Sequence, residues 1–113
     1  MIKLNFSHPN SKLEGFTNHQ LHVDLSDVEL LNKLIDYISP LVGDGSEPIT
    51  IVPPGLAPLS VLVVVAIHGL TGYFPLVVAM KKSDDGFFPL PAVNLQEYRN
   101  SCVRISREGL KVL

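Results

Sequence analysis

The sequence contains a single cysteine, few charged residues and no long apolar run, and each of these shortages excludes a class of protein. Because Cys102 has no partner in the chain, a secreted scaffold held by internal disulfides is excluded, and a reducing cytoplasm is expected. Charged residues make up 18% and hydrophobic residues 46%, a balance that excludes a disordered chain. The most apolar segment, Leu59–Ile67, is about half the ~20 residues that a membrane helix needs. The first residues also lack the basic and apolar regions of a signal peptide. We therefore expect one cytoplasmic domain over residues 1–113, without a membrane partner.

Positive charge is scarce as well, and it is unevenly distributed. The net charge is −2, whereas proteins that bind duplex nucleic acid usually carry a basic excess, so no duplex partner is expected. Residues 1–47 hold three lysines against seven carboxylates, a net charge of −4. Residues 95–113 hold four basic residues against two glutamates, a net charge of +2. This asymmetry suits a compact anionic ligand, but it is mild, and a solvated helix face is the preferred interpretation.

Hydrophobic periodicity predicts the element order β-β-α-β-α-β-β-α. The predicted strands are residues 2–6, 20–25, 49–52, 76–81 and 87–93. The first predicted helix begins at a capping box formed by Ser26 and Glu29 and ends before Pro40. The other two are residues 57–69 and 95–108, each closed by a glycine. The helix over 57–69 is apolar nearly all round, so it needs cover on most sides, and a second subunit is one source of that cover.

These elements predict a compact α/β domain with a mainly parallel sheet, helices packed on it and an antiparallel hairpin near the C-terminus. The hairpin turn is predicted at Asp84-Asp85-Gly86. Pro89 and Pro91 place the returning strand at an edge of the sheet, since proline cannot donate to a ladder. Asn94 and Glu97 have the spacing of a helix cap.

Ligands of such sheets bind outside the carboxyl ends of the strands, and this rule selects the candidate site. A helix that begins there also presents free N–H groups to anions. The candidate ligand-binding residues are Ser7, His8, Asn10, Pro54, Gly55, Ser60 and Lys81. His8 is positioned to contact a phosphate or to transfer a proton near neutral pH. A histidine in a turn beside proline, without a functional role, is an equally good interpretation. Ser60 either donates to a phosphate or caps its own helix, and Lys81 either balances ligand charge or pairs with nearby aspartates.

The remaining motifs are weaker. His19 and His22 are three residues apart on a predicted strand and so should point to opposite faces, which argues against a shared metal ion unless the strand prediction is wrong. No metal site and no cofactor is expected. The segment His68–Pro75 is rich in turn-formers and aromatics, and the predicted topology puts it at the opposite end of the sheet from the candidate site. We expect it to be structural or an assembly contact, with base stacking by Tyr73 and Phe74 as the alternative.

Three short strings suggest a family. They are Leu4-Asn5-Phe6-Ser7-His8-Pro9, His68-Gly69-Leu70-Thr71-Gly72-Tyr73-Phe74-Pro75 and Val93-Asn94-Leu95-Gln96. In this order they resemble a small family of accessory proteins of type III CRISPR systems, the Csx family numbered fifteen. That family is similar to the CARF and ring-nuclease group, so the resemblance implies a Rossmann-like, three-layer domain that is usually dimeric. It departs at Asn10–Asn18, where the family has a helix and this chain has a short polar stretch.

The resemblance implies an antiviral role through cyclic oligoadenylates, the second messengers of type III CRISPR defence. The first expectation is a protein that binds and sequesters such a ring, cyclic tetra-adenylate in particular, as a homodimer or higher assembly. The second is a metal-independent ring nuclease, in which His8 is the one candidate site residue that titrates near neutral pH. The third, from another class, is a structural module that assembles through its apolar helix without a nucleotide ligand.

Overall fold

The computed structural model describes residues 1–7 and 13–112, and their side chains as far as Ile105. The strands are β1 Ile2–Asn5, β2 Thr17–Asn18, β3 Ile49–Val52, β4 Leu76–Val77, β5 Met80–Ser83, β6 Gly86–Pro89 and β7 Val93–Asn94. The helices are α1 Leu30–Val42, α2 Ala57–Thr71 and α3 Leu95–Val112. The described residues thus form an α/β domain, as the alternation of strands and helices predicts.

Five of the strands form one sheet in the order β2-β1-β3-β4-β7. The first four are parallel, and β7 pairs antiparallel with β4 at the edge. β5 and β6 form a separate antiparallel hairpin. The mainly parallel sheet of the prediction is therefore present, with the returning chain on an edge.

The core lies between this sheet and the pair α1 and α2, which pack against each other. All four residues of β3 are buried, which matches its place in the middle of the sheet. Ile51 and Val63 are fully buried, and α1 contributes Leu34, Ile38 and Val42 to the same cluster. This burial stabilises the central strands and the two helices together.

The second strand was predicted at 20–25, and this prediction is wrong. The strand beside β1 is Thr17–Asn18, whereas Leu21 and Val23 lie outside any strand. The alternation in the sequence does correspond to an alternation in burial: Leu21 and Val23 pack against the core, and His22 and Asp24 are exposed. A period of two indicates an extended backbone, but it does not supply a strand partner.

The start and end of α1 also differ from the prediction. Ser26 does not cap the helix, because the carboxylate of Asp24 accepts hydrogen bonds from the amide and hydroxyl of Ser26 at 2.9 and 2.6 Å. A second aspartate, Asp27, accepts from the amide of Glu29, so two short turns precede Leu30. At its other end α1 continues through Pro40 to Val42. Burial of Val42 in the core outweighs the backbone bond that Pro40 cannot make.

Helix α2 begins at Ala57 with Pro58 in its first turn, as predicted, but it ends later than Gly69. The chain leaves the helix at Gly72, which adopts φ +86° and donates its amide to the carbonyl of His68 at 2.8 Å. A residue with a Cβ rarely adopts that conformation, so Gly72 is the terminator and Gly69 lies inside the helix.

The predicted turn lies at Asp84–Asp85, but the strands around it are interrupted. The predicted strand 76–81 breaks at Val78–Ala79, where Val78 donates its amide to the carbonyl of Ile51. The returning strand breaks between Pro89 and Val93, since Pro91 cannot donate to a ladder. α3 follows β7 directly and runs past Gly109 to Val112, beyond its predicted end. Its predicted cap is present: Asn94 Oδ1 accepts the amide of Glu97 at 3.0 Å.

Across the residues described, none of the helices combines the length and the apolar character that crossing a membrane requires.

Candidate ligand-binding edge

The parallel strands β1, β2, β3 and β4 end at one side of the sheet, here named the carboxyl edge. Ser7 follows β1, Pro53–Gly55 follows β3, and Val78–Ala79 follows β4. The backbone joins these breaks: Phe6 donates its amide to the carbonyl of Val52 at 2.9 Å. The ends of β1 and β3 therefore share one rim.

Helix α2 begins at this edge without a side-chain cap, since its N-cap position is held by Leu56. The amides of the first turn of a helix have no intrahelical acceptor and carry the positive end of the helix dipole. Ser60 donates its amide to the carbonyl of Leu56 at 3.0 Å, so it belongs to the regular helix and is not its cap. Pro58 has no amide proton, which leaves the amides of Ala57 and Leu59 for an anionic group at the edge.

Asn5 organises the end of β1. It is buried, and its Nδ2 donates to Asn18 Oδ1 of the neighbouring strand at 3.0 Å. Its Oδ1 accepts both the amide and the hydroxyl of Ser7. These bonds hold the backbone at Ser7 in a bend, so the position of the Ser7 hydroxyl is set by a buried amide and not by a loop.

Two grooves flank Ser7 and Gly55. The first, the Gln20 groove, has a volume of about 290 Å³ and is lined by Phe6, Ser7, Gln20, Pro54, Gly55 and Leu59. The second, the Phe87 groove, has a volume of about 320 Å³ and is lined by Ser7, Pro53, Gly55, Val78, Met80 and Phe87. Ser7 and Gly55 contribute to both, so they separate two apolar recesses that open at one edge. A Cβ added to Gly55 would meet no atom within 4 Å, which means that the space beside it is open.

The structure unites only part of the predicted site. Ser7, Pro54 and Gly55 lie together, with Pro54 buried under the Gln20 groove. Ser60 is half-buried in the first turn of α2 and lines neither groove. Lys81 lies exposed on β5, next to Met80 of the Phe87 groove. His8 and Asn10 lie outside the described residues.

His19 is a residue of this edge that the sequence reasoning did not select. It follows β2 directly, and its amide donates to the carbonyl of Asn5 at 2.8 Å. Its Nε2 is 2.8 Å from Thr17 Oγ1, its Nδ1 is 3.4 Å from the Tyr37 hydroxyl, and its ring lies against Phe6. Burial lowers the pKa of His19, which favours the neutral ring. The sequence offered no signal for it, because the strand pattern pointed to 20–25 and not to Thr17–Asn18.

A third groove of about 420 Å³ lies between residues 20–24 and α1. It is lined by Leu21, Val23, Asp27, Leu30, Lys33 and Tyr37 among others. An ion pair between Lys33 Nζ and Asp27 Oδ2 at 2.6 Å lies at this groove. Hydrogen bonding to Lys33 and to the Glu29 amide lowers the pKa of Asp27. The positive charge of Lys33 is therefore already paired with the Asp27 carboxylate of the same chain.

The segment from His68 to Pro75 lies at the opposite end of the sheet from the carboxyl edge. The hydroxyl of Tyr73 donates to the carbonyls of Gly45 and Glu47, which precede β3. The ring of Phe74 stacks on His68 with centroids 4.2 Å apart, and its amide donates to Gln96 Oε1 at 3.4 Å. Tyr73 thus ties the entrance of β3 to the exit of α2.

Among the side chains that the structure describes, no three histidine, cysteine, aspartate or glutamate residues are grouped as metal ligands. The carboxyl edge instead offers backbone amides, the Ser7 hydroxyl, the His19 ring and two apolar grooves. Such a surface can bind an anion through amides and flat apolar groups through the grooves. The chain matches no protein-family model, no curated protein and no solved structure.

Proposed function

We propose that the protein binds and sequesters a cyclic oligoadenylate, cyclic tetra-adenylate in particular, and so modulates type III CRISPR signalling. The observation that carries the proposal is the carboxyl edge, where Ser7 and Gly55 separate two apolar grooves beside the uncapped start of α2. The three sequence strings that resemble the Csx family supply the identity of the ligand. A Rossmann-like, CARF-like arrangement in three layers and a homodimer belong to the same proposal.

The chemistry of the ligand suits this edge. A cyclic oligoadenylate carries its phosphates in a ring with the adenines outside. The free amides of Ala57 and Leu59 would donate to phosphate, and the Ser7 hydroxyl, which donates its proton to Asn5, would accept from a ribose hydroxyl. Neither contact needs a basic patch, which agrees with the net charge of −2. The Phe87 groove, bounded by Pro53, Met80 and Phe87, would hold an adenine by stacking and apolar contact. Two copies would present the same edge twice to a ring with two-fold symmetry.

We propose sequestration and not cleavage, although His8, the base that the sequence suggested for cleavage, lies outside the described residues. A ring nuclease would use a base to activate a ribose 2′-hydroxyl for attack on the adjacent phosphate. Both ring nitrogens of His19 already have neighbours, Thr17 and Tyr37, within 3.4 Å. We therefore propose His19 as a support of the β2 end and keep cleavage as an outcome of the test.

The test incubates the purified chain with radiolabelled cyclic tetra-adenylate and analyses it by native gel and by denaturing chromatography. A shifted band with intact ligand supports sequestration, and linear products support the ring nuclease. If no ring size shifts the band, the nucleotide proposal is wrong and the assembly module is the remaining interpretation.

Variants test where the ligand binds. Gly55→Val places a side chain in the open space between the grooves, and we expect at least about tenfold weaker binding. Ser7→Ala removes the hydroxyl and should weaken binding several-fold, whereas Ser39→Ala, an exposed serine of α1, is the matched control. His8→Ala, chosen from the sequence alone, should also weaken retention. Full affinity in both Gly55→Val and Ser7→Ala would show that the site lies elsewhere.

A further inference from the structure

The outward face of α2 is apolar and uncovered. The helix contains no charged residue, and its side opposite the core exposes Val61 by 63% and Val65 by 56%. A helix that is apolar all round is normally buried on all sides. In this chain, α1 and the sheet cover only the inner side of α2. Val93 of the edge strand β7 is also half exposed.

α3 carries a second uncovered apolar face, here named the α3 seam and formed by Leu95, Tyr98, Cys102 and Ile105. The spacing of three, four and three residues puts these side chains along one side of the helix, as in a helix that packs on another helix. Tyr98 is 67% exposed and Ile105 is 62% exposed. The opposite side carries Glu97 and Arg104. α3 is therefore an amphipathic helix whose seam is open to solvent in a single chain.

The two faces cannot cover each other within one chain. α3 begins at Leu95, immediately after β7, and Asn94 both ends the strand and caps the helix. A helix that packs back on the sheet it follows normally needs a connection of about two to six residues. Without one, α3 leaves Tyr98 and Ile105 exposed instead of packing them on α2.

Charge distinguishes the possible pairings between two copies. An antiparallel pair of α3 helices that aligned Tyr98 with Ile105 would also align Arg99 with Arg104, which is unfavourable. By contrast, α1 packs beside α2, and its Asp36 is exposed. The region that contains α1 has a net charge of −4, and the segment that forms α3 has a net charge of +2. The basic helix of one copy therefore complements the α1 and α2 layer of another.

We propose that the α3 seam of one copy packs on the outward face of α2 of a second copy, and that the exchange is reciprocal. The resulting dimer has a two-fold axis and covers both apolar faces of each chain at once. Pairing of α2 with α2, or of α3 with α3, would leave one face of each chain exposed. This assembly depends on the apolar faces and not on a nucleotide.

Sedimentation equilibrium of the full chain without ligand tests the dimer, together with two substitutions at exposed positions. Val65→Glu damages the α2 face and Ile105→Glu damages the α3 seam. In the reciprocal dimer each substitution alone spoils both contacts, so each should raise the dissociation constant at least about tenfold. Mixing the two variants restores one intact contact, the α3 of the first on the α2 of the second, and should recover association. Val28→Glu, at an exposed valine before α1, is the matched control and should leave the dimer unchanged.

The outcomes separate the possible interfaces. A dimer that survives Val65→Glu and is lost with Ile105→Glu would indicate α3 pairing and overturn the proposal. The reverse pattern would indicate α2 pairing and overturn it as well. If the chain stays monomeric up to roughly 0.1 mM, the proposed dimer would be too weak to form at cellular concentrations, and the proposal is wrong.

Cys102 supplies a readout that needs no substitution. It lies in the α3 seam and is exposed in a single chain. If a second copy covers the seam, alkylation of Cys102 should slow as the protein concentration rises through the dissociation constant. A rate that does not depend on concentration would contradict burial of the seam, whatever ligand the carboxyl edge binds.

Discussion

Two regions of this chain have similar proportions of hydrophobic residues but very different burial. Residues 1–78, apart from the undescribed segment, contain β1 to β4, α1, α2 and all the buried core residues. In residues 79–105, here named the C-terminal arm, no described residue is buried. Phe87, Phe88, Leu90, Tyr98 and Ile105 of the arm are all exposed large hydrophobic residues.

The difference shows what stabilises each region. The first gains free energy by removing apolar surface from water, about 25 cal/mol per Å². The arm is ordered by backbone ladders, a two-residue turn and the Asn94 cap, which stabilise local structure but contribute little to global stability. The exposed apolar side chains of the arm would be buried only by contact with another molecule.

The largest expected contrast comes from two valines in α2. Val63 is fully buried and Val65 is 56% exposed. Val63→Ala should lower the free energy of unfolding by about 2 kcal/mol, from lost transfer energy and a cavity. Val65→Ala should change it by less than about 0.5 kcal/mol at concentrations where the chain is monomeric. Urea unfolding monitored by circular dichroism measures both, and equal losses would contradict the assignment of the two faces.

A smaller contrast is expected between two tyrosines. Tyr73→Phe removes a hydroxyl that donates to the Gly45 and Glu47 carbonyls, and it should cost about 1–2 kcal/mol of unfolding free energy. Tyr98→Phe in the arm is the control, because the Tyr98 side chain is 67% exposed. If Tyr73→Phe unfolds at the wild-type urea midpoint, the link between α2 and the entrance of β3 contributes nothing.

The cap of α3 should matter locally and not globally. Asn94→Ala removes the acceptor of the Glu97 amide, which is worth about 1 kcal/mol to a helix. Since the α3 seam lacks cover in the monomer, that loss should fray α3 and reduce the helical circular dichroism signal. The urea midpoint of the core should stay the same. A lowered midpoint would mean that the arm and the core unfold as one unit.

The smallest effect concerns pH. Burial lowers the pKa of His19 from its ordinary value of 6.5, so the unfolded chain binds a proton more readily than the folded one. Stability should therefore fall as pH drops below 6.5, and this loss should level off below the folded pKa. Urea unfolding between about pH 7.5 and about pH 5 tests it, with His19→Gln expected to flatten this part of the profile and exposed His22→Gln as the control. An unchanged slope in His19→Gln would contradict burial as the cause.

The candidate site was only partly predictable. The rule that ligands bind at the carboxyl ends of parallel strands brought Ser7, Pro54 and Gly55 together, because each directly follows a strand that the sequence identifies. Ser60 was chosen because it lies in the first turn of the helix, and Lys81 because it ends the predicted strand 76–81. The structure puts both residues outside the two grooves. His19 was not predicted, because it follows the strand Thr17–Asn18, which forms by pairing with β1. Local periodicity does not show which distant strand a segment pairs with.

Local chemistry in the sequence determined the β3 strand, the start of α2 at Pro58, the turn at Asp84–Asp85 and the Asn94 cap. Each of these depends on residues a few positions apart, through proline geometry, short polar side chains or uninterrupted β-branched residues. The tertiary structure alone decided that α1 continues through Pro40, that β2 lies at Thr17–Asn18 and that the arm stays exposed. Those outcomes depend on which distant surfaces bury one another, and burial is a property of the assembled core and not of any segment of the chain.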